Sequence, residues 1–297
     1  MTITTAARRL MGTDARVIVC GGEVDALTLF DQLDALEASW SRFLPGNELS
    51  RLHASAGNVT VVSPPMFCLV EHLVAAHRLT GGRFDPTLAD QLVALGYDRT
   101  YRSLADGSEP IADPSPAAPM MAVADRIELF RRASAVLLAP STRLDPGGLG
   151  KGLAADIVAR SAVEAGARGV LVDLGGDIVT RGVSPDGGPW RIDIPETSQH
   201  PQRVVELSDG AVATSDSRAR TWLRGGEEIG HILDPGTGRP VSGALSATVI
   251  AGSGWWAEAA ATAAIISQSR RDGWLDVDRC DELGLVAFVT ERTAVDA

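Results

Sequence analysis

Apolar residues recur along this chain in two rhythms. Val24, Leu27, Phe30, Leu33 and Leu36 follow helical spacing and predict a helix over residues 23–40, and a second helical pattern covers 64–79. Short β-rich runs at 16–20, 134–139, 169–173, 190–194, 203–207, 211–214, 246–251 and 285–289 predict strands. Helices are predicted at about 149–165 and about 255–268, so residues 134–173 read as a strand, a glycine-rich turn, a helix and a strand. The alternation defines a mixed α/β class with α+β character. Residues 105–120 are rich in Pro, Ala and Ser, lack periodicity and read as an exposed connection. No internal repeat is visible.

Composition narrows the partners. A formal charge of −11 offers no basic face to a nucleic-acid backbone or an anionic membrane, so a phosphate-bearing substrate would have to be handled locally. Cys20, Cys68 and Cys280 are scattered and form no CxxC pair, which argues against a thiolate metal site or a redox motif. The first residues carry neither a long apolar run nor a lipid-accepting cysteine after one, and the expectation is a cytoplasmic protein.

Four polar clusters carry the candidate chemistry. In LDPGGLGKGLAAD (144–156) glycines let the backbone approach a ligand, and the following helix offers unpaired N–H groups and a positive dipole end, a natural host for phosphate. It departs from the P-loop pattern, because Gly152 stands where a hydroxyl residue would follow Lys151. VDLGGDIVTRG (172–182) reads as a hairpin with Gly175 and Gly176 at positive φ. HILDPGTGRP (231–240) sets His231, one of five histidines, beside Asp234 and a tight turn. In WAEAAATAA (256–264), Glu258 and Thr262 lie four residues apart on one face of a small-residue helix, a partial oxygen shell of the kind Mg²⁺ takes. Taken singly, each segment is equally what a tight connection, a structural histidine or an alanine-rich packing helix supplies.

Taken together and in order, these segments resemble the ApbE-like FAD:protein FMN transferases over nearly the whole chain. The resemblance is carried by MGT (11–13), SRF and NELSRLH (41–53), GGRFDPTL (81–88), the glycine motif (145–152), VDLGGDI (172–178), AVATSDS (211–217), HILDPGTGRP and the AExxxT helix. It implies one domain over residues 1–297, with two closely joined lobes and FAD in the cleft between the glycine loop and the last helix. Met11, Phe43, Phe84, Asp85, Pro86 and Thr87 would hold the flavin and adenine parts, and Asp145 and Lys151 would contact FAD. The carbonyl of Gly148 with Glu258 and Thr262 would bind magnesium, and His231 would position or deprotonate during phosphoryl transfer, with Asp145 beside it in the catalytic set.

The implied reaction moves FMN from FAD to a threonine hydroxyl of an acceptor flavoprotein and releases AMP. Such chemistry needs charge neutralisation and positioning more than covalent catalysis. A magnesium-dependent FAD pyrophosphatase would share the site and differ in the nucleophile admitted, and a non-catalytic FAD-binding protein would share only the pocket. This sequence departs from the family pattern at Glu258, where the family usually shows Asp and where Ala261 replaces a further carboxylate, and at TSDSRAR (214–220), where it tends to have TSG. Ser41, Glu48, Arg51, Asp156, Asp173, Asp177, Trp255 and Trp256 read as bracing or packing residues.

Overall fold

The computed structural model describes residues 1–105, 126–194, 202–224 and 226–291. Beyond Ala105, the Pro-, Ala- and Ser-rich stretch up to Met120 lies outside the described residues. The chain divides into two compact units, one formed by Met1–Glu37, Leu149–Asp216 and Gly243–Ala297, the other by Ala38–Gly148 and Ser217–Ser242.

The first unit is organised by a seven-stranded sheet whose strands lie side by side in chain order: β1 (Ile3–Leu10), β2 (Thr13–Cys20), β3 (Gly169–Leu174), β4 (Asp177–Gly182), β5 (Gly210–Asp216), β6 (Leu245–Ala251) and β7 (Leu285–Glu291). Every neighbouring pair is antiparallel. Period-two alternation sends Ile18, Cys20, Leu171, Ile178, Val212 and Ile250 to one face, where Trp190 and Ile192 of a hairpin (Trp190–Ile194 with Arg203–Leu207) cover them. The intervening positions, among them Val17, Val19, Val170, Val172, Val179, Ala211 and Val249, are equally buried. Two helices, Gly150–Glu164 and Gly254–Arg270, pack on these strands and on each other.

Glycine decides how close those helices come. A Cβ on Gly152 would sit 2.2 Å from the carbonyl oxygen of Gly254, and one on Gly254 would sit 2.6 Å from that of Gly152. The Gly254–Arg270 helix is buried along most of its alanine-rich circumference, so it has no single apolar stripe and reads as a core element. Its first turn is capped from outside: the Asp156 carboxylate accepts the Trp255 N–H at 3.0 Å and pairs with Arg181 at 3.1 Å.

In the second unit, a three-stranded sheet places Ala135–Leu138 between Val59–Val61 and Ile127–Phe130. The predicted strand-turn-helix-strand run therefore feeds two separate sheets. Pro64–Leu79 is helical with the predicted bounds and begins on Ser63, whose hydroxyl accepts the Met66 N–H. Glu48 braces that entry, accepting from the Ser63 N–H at 2.6 Å and its hydroxyl at 2.7 Å. Asn47 caps the Glu48–Ala54 helix, and Arg51 reaches back to the Gly46 carbonyl, so bracing accounts for these residues. Leu88, Leu92, Leu95, Tyr97, Trp222 and Leu233 form a local core, and Trp222 donates its indole N–H to the Leu95 carbonyl at 2.8 Å.

Candidate active site

In the first unit the chemistry gathers where the Gly150–Glu164 helix begins. Lys151 donates to Asp177 Oδ2 at 2.6 Å and to Glu258 Oε1, and Glu258 Oε2 accepts the Gly152 N–H at 2.8 Å. Glu258 and Asp177 are 3% and 5% exposed, so two carboxylates and one ammonium share a nearly dry site. Burial pushes the Glu258 carboxyl up, Lys151 pulls it back, and Asp177 adds to the rise. For Lys151, burial acts to lower the pKa, but Asp177 and Glu258 outweigh it and hold the ammonium charged well above its ordinary value.

One turn after Glu258, Thr262 exchanges a hydrogen bond with Ser215 of β5 at 3.2 Å. Glu258, Thr262, Ser215 and Asp177 supply only oxygen, the donor chemistry a magnesium ion takes, and the lysine ammonium already occupies a cation's place against Glu258. These residues fit such an ion. Among the described residues no group of three or more His, Cys, Asp or Glu side chains forms a metal cluster, so a magnesium shell here would have to draw on hydroxyls, backbone carbonyls, water or substrate phosphates.

Met11 belongs to the same unit and occupies the turn of the β1–β2 hairpin. Met11 and Gly12 have φ of 50° and 73°, the pattern of a type I′ turn, which Gly accepts freely and Met only against strain. The predicted 172–182 hairpin is present, with Gly175 and Gly176 at φ of 71° and 95°, and it delivers Asp177 to Lys151.

The second unit gathers Phe43, Phe84, Asp85, Pro86, Thr87, Asp145, Gly148 and His231. Asp85 Oδ1 accepts the Thr87 N–H at 2.7 Å and its hydroxyl at 2.6 Å, and Arg126 donates to that hydroxyl. The ring of Phe84 is buried while its carbonyl faces His77 Nδ1 at 2.9 Å. Pro86 contributes its carbonyl, which accepts the Asp145 N–H at 2.7 Å and ties the FDPT segment to the glycine loop. Asp145 Oδ1 accepts the Gly147 N–H at 2.8 Å and thereby shapes the turn that leads to Gly148.

Two residues that the motifs did not single out complete this arrangement. Arg42 lies over the rings of Phe43 and Tyr97, 4.2 and 4.5 Å from their centroids, donates to the Tyr97 carbonyl at 2.7 Å, and sits 3.4 Å from Asp145. His53 accepts the Leu144 N–H at Nε2, 2.9 Å away, and so pins the residue before Asp145. Burial, and then the Arg143 charge, hold the His53 pKa down near 4 against the pull of Asp145, which keeps the acceptor nitrogen unprotonated. The only sequence signal for either residue was its place inside a resembling segment.

His231 sits beside Arg220, whose carbonyl accepts the His231 N–H at 3.2 Å and lies 3.2 Å from Nδ1. A carbonyl only accepts, so Nδ1 carries a proton, and in the neutral form of that tautomer the lone pair lies on Nε2, the atom a general base uses. Arg220, part of the divergent 214–220 segment, also donates to the Tyr97 hydroxyl at 3.2 Å. Asp234 Oδ1 accepts the Gly236 N–H and closes the DPGTG turn.

A seven-stranded antiparallel sheet carrying a glycine-loop helix and an alanine-rich helix has counterparts among solved structures. It matches the crystal structure of the ApbE protein of Thermotoga maritima with a TM-score of 0.82 at 21% identity, covering 99% of this chain and 98% of that one. The flavin transferase ApbE of Vibrio cholerae matches with a TM-score of 0.77 at 21% identity, covering 99% of this chain and 94% of that one. Residues 11–279 match the model of the ApbE family, and the chain belongs to that family. Its relatives include the FAD:protein FMN transferase of Chlamydia trachomatis, 27% identical over 276 residues, or 91% of this chain and 82% of that one. The protein of the same description in Salmonella typhimurium is 30% identical over 264 residues, covering 82% and 72%.

Proposed function

We propose that this protein is a magnesium-dependent FAD:protein FMN transferase that moves the FMN half of FAD onto a threonine hydroxyl of an acceptor flavoprotein and releases AMP. Family membership supports the reaction class, and the observation that carries the reading is the buried Lys151–Asp177–Glu258 cluster at the start of the glycine-loop helix. The same arrangement suits a pyrophosphate: the helix begins with no side-chain cap from Leu149, its positive dipole end lies at the glycine loop, Glu258 takes the Gly152 N–H, and Lys151 supplies a fixed positive charge.

In this reading Glu258, Thr262 and the Gly148 carbonyl hold the magnesium ion, which would neutralise charge on the reacting phosphate. Met11, Phe43, Phe84, Asp85, Pro86, Thr87, Asp145 and Lys151 bind FAD. Asp85, Thr87, Pro86 and Asp145 support this role through one connected set of hydrogen bonds, which fixes the shape of both loops before substrate arrives. The acceptor hydroxyl forms a new P–O bond to the FMN phosphorus, the bridging P–O bond breaks, and AMP leaves. The hydroxyl proton passes to Nε2 of His231, with the Arg220 carbonyl holding the imidazole in the required tautomer. Water in place of threonine would give FMN and AMP. No helix among the described residues is long and apolar enough to cross a membrane. Cys20, Cys68 and Cys280 form no disulfide, which suits a reducing compartment, and the reading places the protein in the cytoplasm.

AMP release from FAD, followed by chromatography with and without Mg²⁺, tests this. Wild-type protein should release AMP only with the metal, and Glu258→Ala and Thr262→Ala should each lower turnover by at least about tenfold while retaining FAD binding. Unchanged turnover in both variants would remove the metal assignment.

A further inference from the structure

Asp177 is left without a role in the reaction described above, yet it is among the most buried charged residues in the first unit. It is the first residue of β4, directly after the Gly175–Gly176 turn, and its carboxylate meets Lys151 Nζ at 2.6 Å. One buried carboxylate is enough to neutralise one buried ammonium, and Lys151 already has Glu258. With both carboxylates ionised, Asp177 therefore leaves the cluster with a net charge of −1, a costly surplus in a largely buried site. A surplus of that sign is repaid when a cation joins.

We propose that Asp177 is the positioning residue of this site: it retains Lys151 when Glu258 engages a divalent cation, and its charge lets the cluster accept that cation with the lysine still in place. This rests on the reading of Glu258 as a cation ligand. Without Asp177, a cation arriving at Glu258 would confront a lysine whose sole remaining carboxylate it must share, so metal and lysine would compete. With Asp177, Lys151 keeps a partner and remains beside the metal, where its ammonium can meet a phosphate. The hairpin supplies the rigidity, since Asp177 is paired with Leu174 across the turn and fixed at the end of two sheet strands.

The test is Mg²⁺ titration by isothermal calorimetry of the full chain, with FAD absent and then present, alongside thermal melting of each variant. Counting Lys151, Asp177 and Glu258, the wild-type cluster carries −1, Asp177→Asn carries 0, Lys151→Met carries −2, and the double variant returns to −1. Asp177→Asn should weaken Mg²⁺ binding by about tenfold or more, and the double variant should recover to within about threefold of wild type. A residue that merely braced the hairpin would lower the melting temperature and leave this order of affinities unmade. Should Asp177→Asn alone fail to fold, the double variant, which removes the lysine with its partner, is compared with wild type: Mg²⁺ affinity within about threefold is expected, and a loss of about tenfold or more would show that Asp177 acts other than through Lys151 and overturn the proposal. Equal affinities of wild type and Asp177→Asn overturn it as well. Wild-type protein that binds no Mg²⁺ even with FAD present overturns the reading of Glu258 itself, whereas wild-type binding that is indifferent to Asp177 overturns the proposal alone.

Discussion

Lys151, Asp177 and Glu258 show how a residue's meaning changes once the chain is folded. Lys151 and Glu258 were legible as separate features, one beside a glycine loop and one on a small-residue helix, but nothing in their spacing announced that they touch across 107 positions. Asp177 read as a turn residue for the same reason. His53 was legible only as part of a segment, and its contact with the Leu144 N–H makes a prediction. Its folded pKa, held near 4 by burial and by Arg143, lies below the ordinary value of 6.5. The unfolded chain therefore binds the extra proton first, and the stability that neutral His53 contributes is present above pH 6.5 and lost as pH falls toward 4. Urea denaturation of wild type and His53→Gln across that range should show the wild type losing up to about 3 kcal/mol more than the variant. Parallel acid profiles would exclude the buried neutral histidine.

At the scale of elements, the predicted helices and inner strands are present because their apolar rhythm records burial on one or both faces. The helix predicted from residue 23 begins at Ala26, and the strand predicted at 16–20 extends back to Thr13. β1 was not foreseen: ITTAARRL lies at the sheet edge with most of its residues exposed or half-buried, so it has no alternation to read. The hairpin formed by Thr221–Arg224 and Glu227–Gly230 escaped for a similar reason, since it buries Trp222 and exposes Leu223 over four-residue strands. The crossing at Gly152 and Gly254 gives the element-scale prediction. Gly152→Ala would press a methyl into the Gly254 carbonyl and shift the N–H that Glu258 accepts. It should cost about 1–3 kcal/mol in denaturant unfolding and weaken Mg²⁺ binding as well. Wild-type stability in that variant would show that the helices can part without loss.

For the whole molecule, the class and the family came from eight segments in one order, while the site's geometry came only with the fold. An acidic chain that handles a dianionic pyrophosphate has to do so with a few placed charges, and chelation of the metal should therefore abolish turnover while the sheet and helices persist. Circular dichroism beside AMP release, before and after EDTA, would check this, and loss of fold on chelation would assign the metal a structural role instead. Arg220, in the divergent 214–220 segment, is tied to both His231 and Tyr97; if this segment meets the acceptor, Arg220→Ala should change acceptor labelling more than AMP release. The most direct measurement is intact mass of a threonine-bearing acceptor flavoprotein incubated with this protein, FAD and Mg²⁺, with AMP followed in parallel. The account predicts one FMN-sized mass gain on the acceptor for each AMP released, abolished when the acceptor threonine is replaced by alanine. FAD that stays bound and intact, with no AMP and no mass gain on any threonine acceptor supplied, would contradict it.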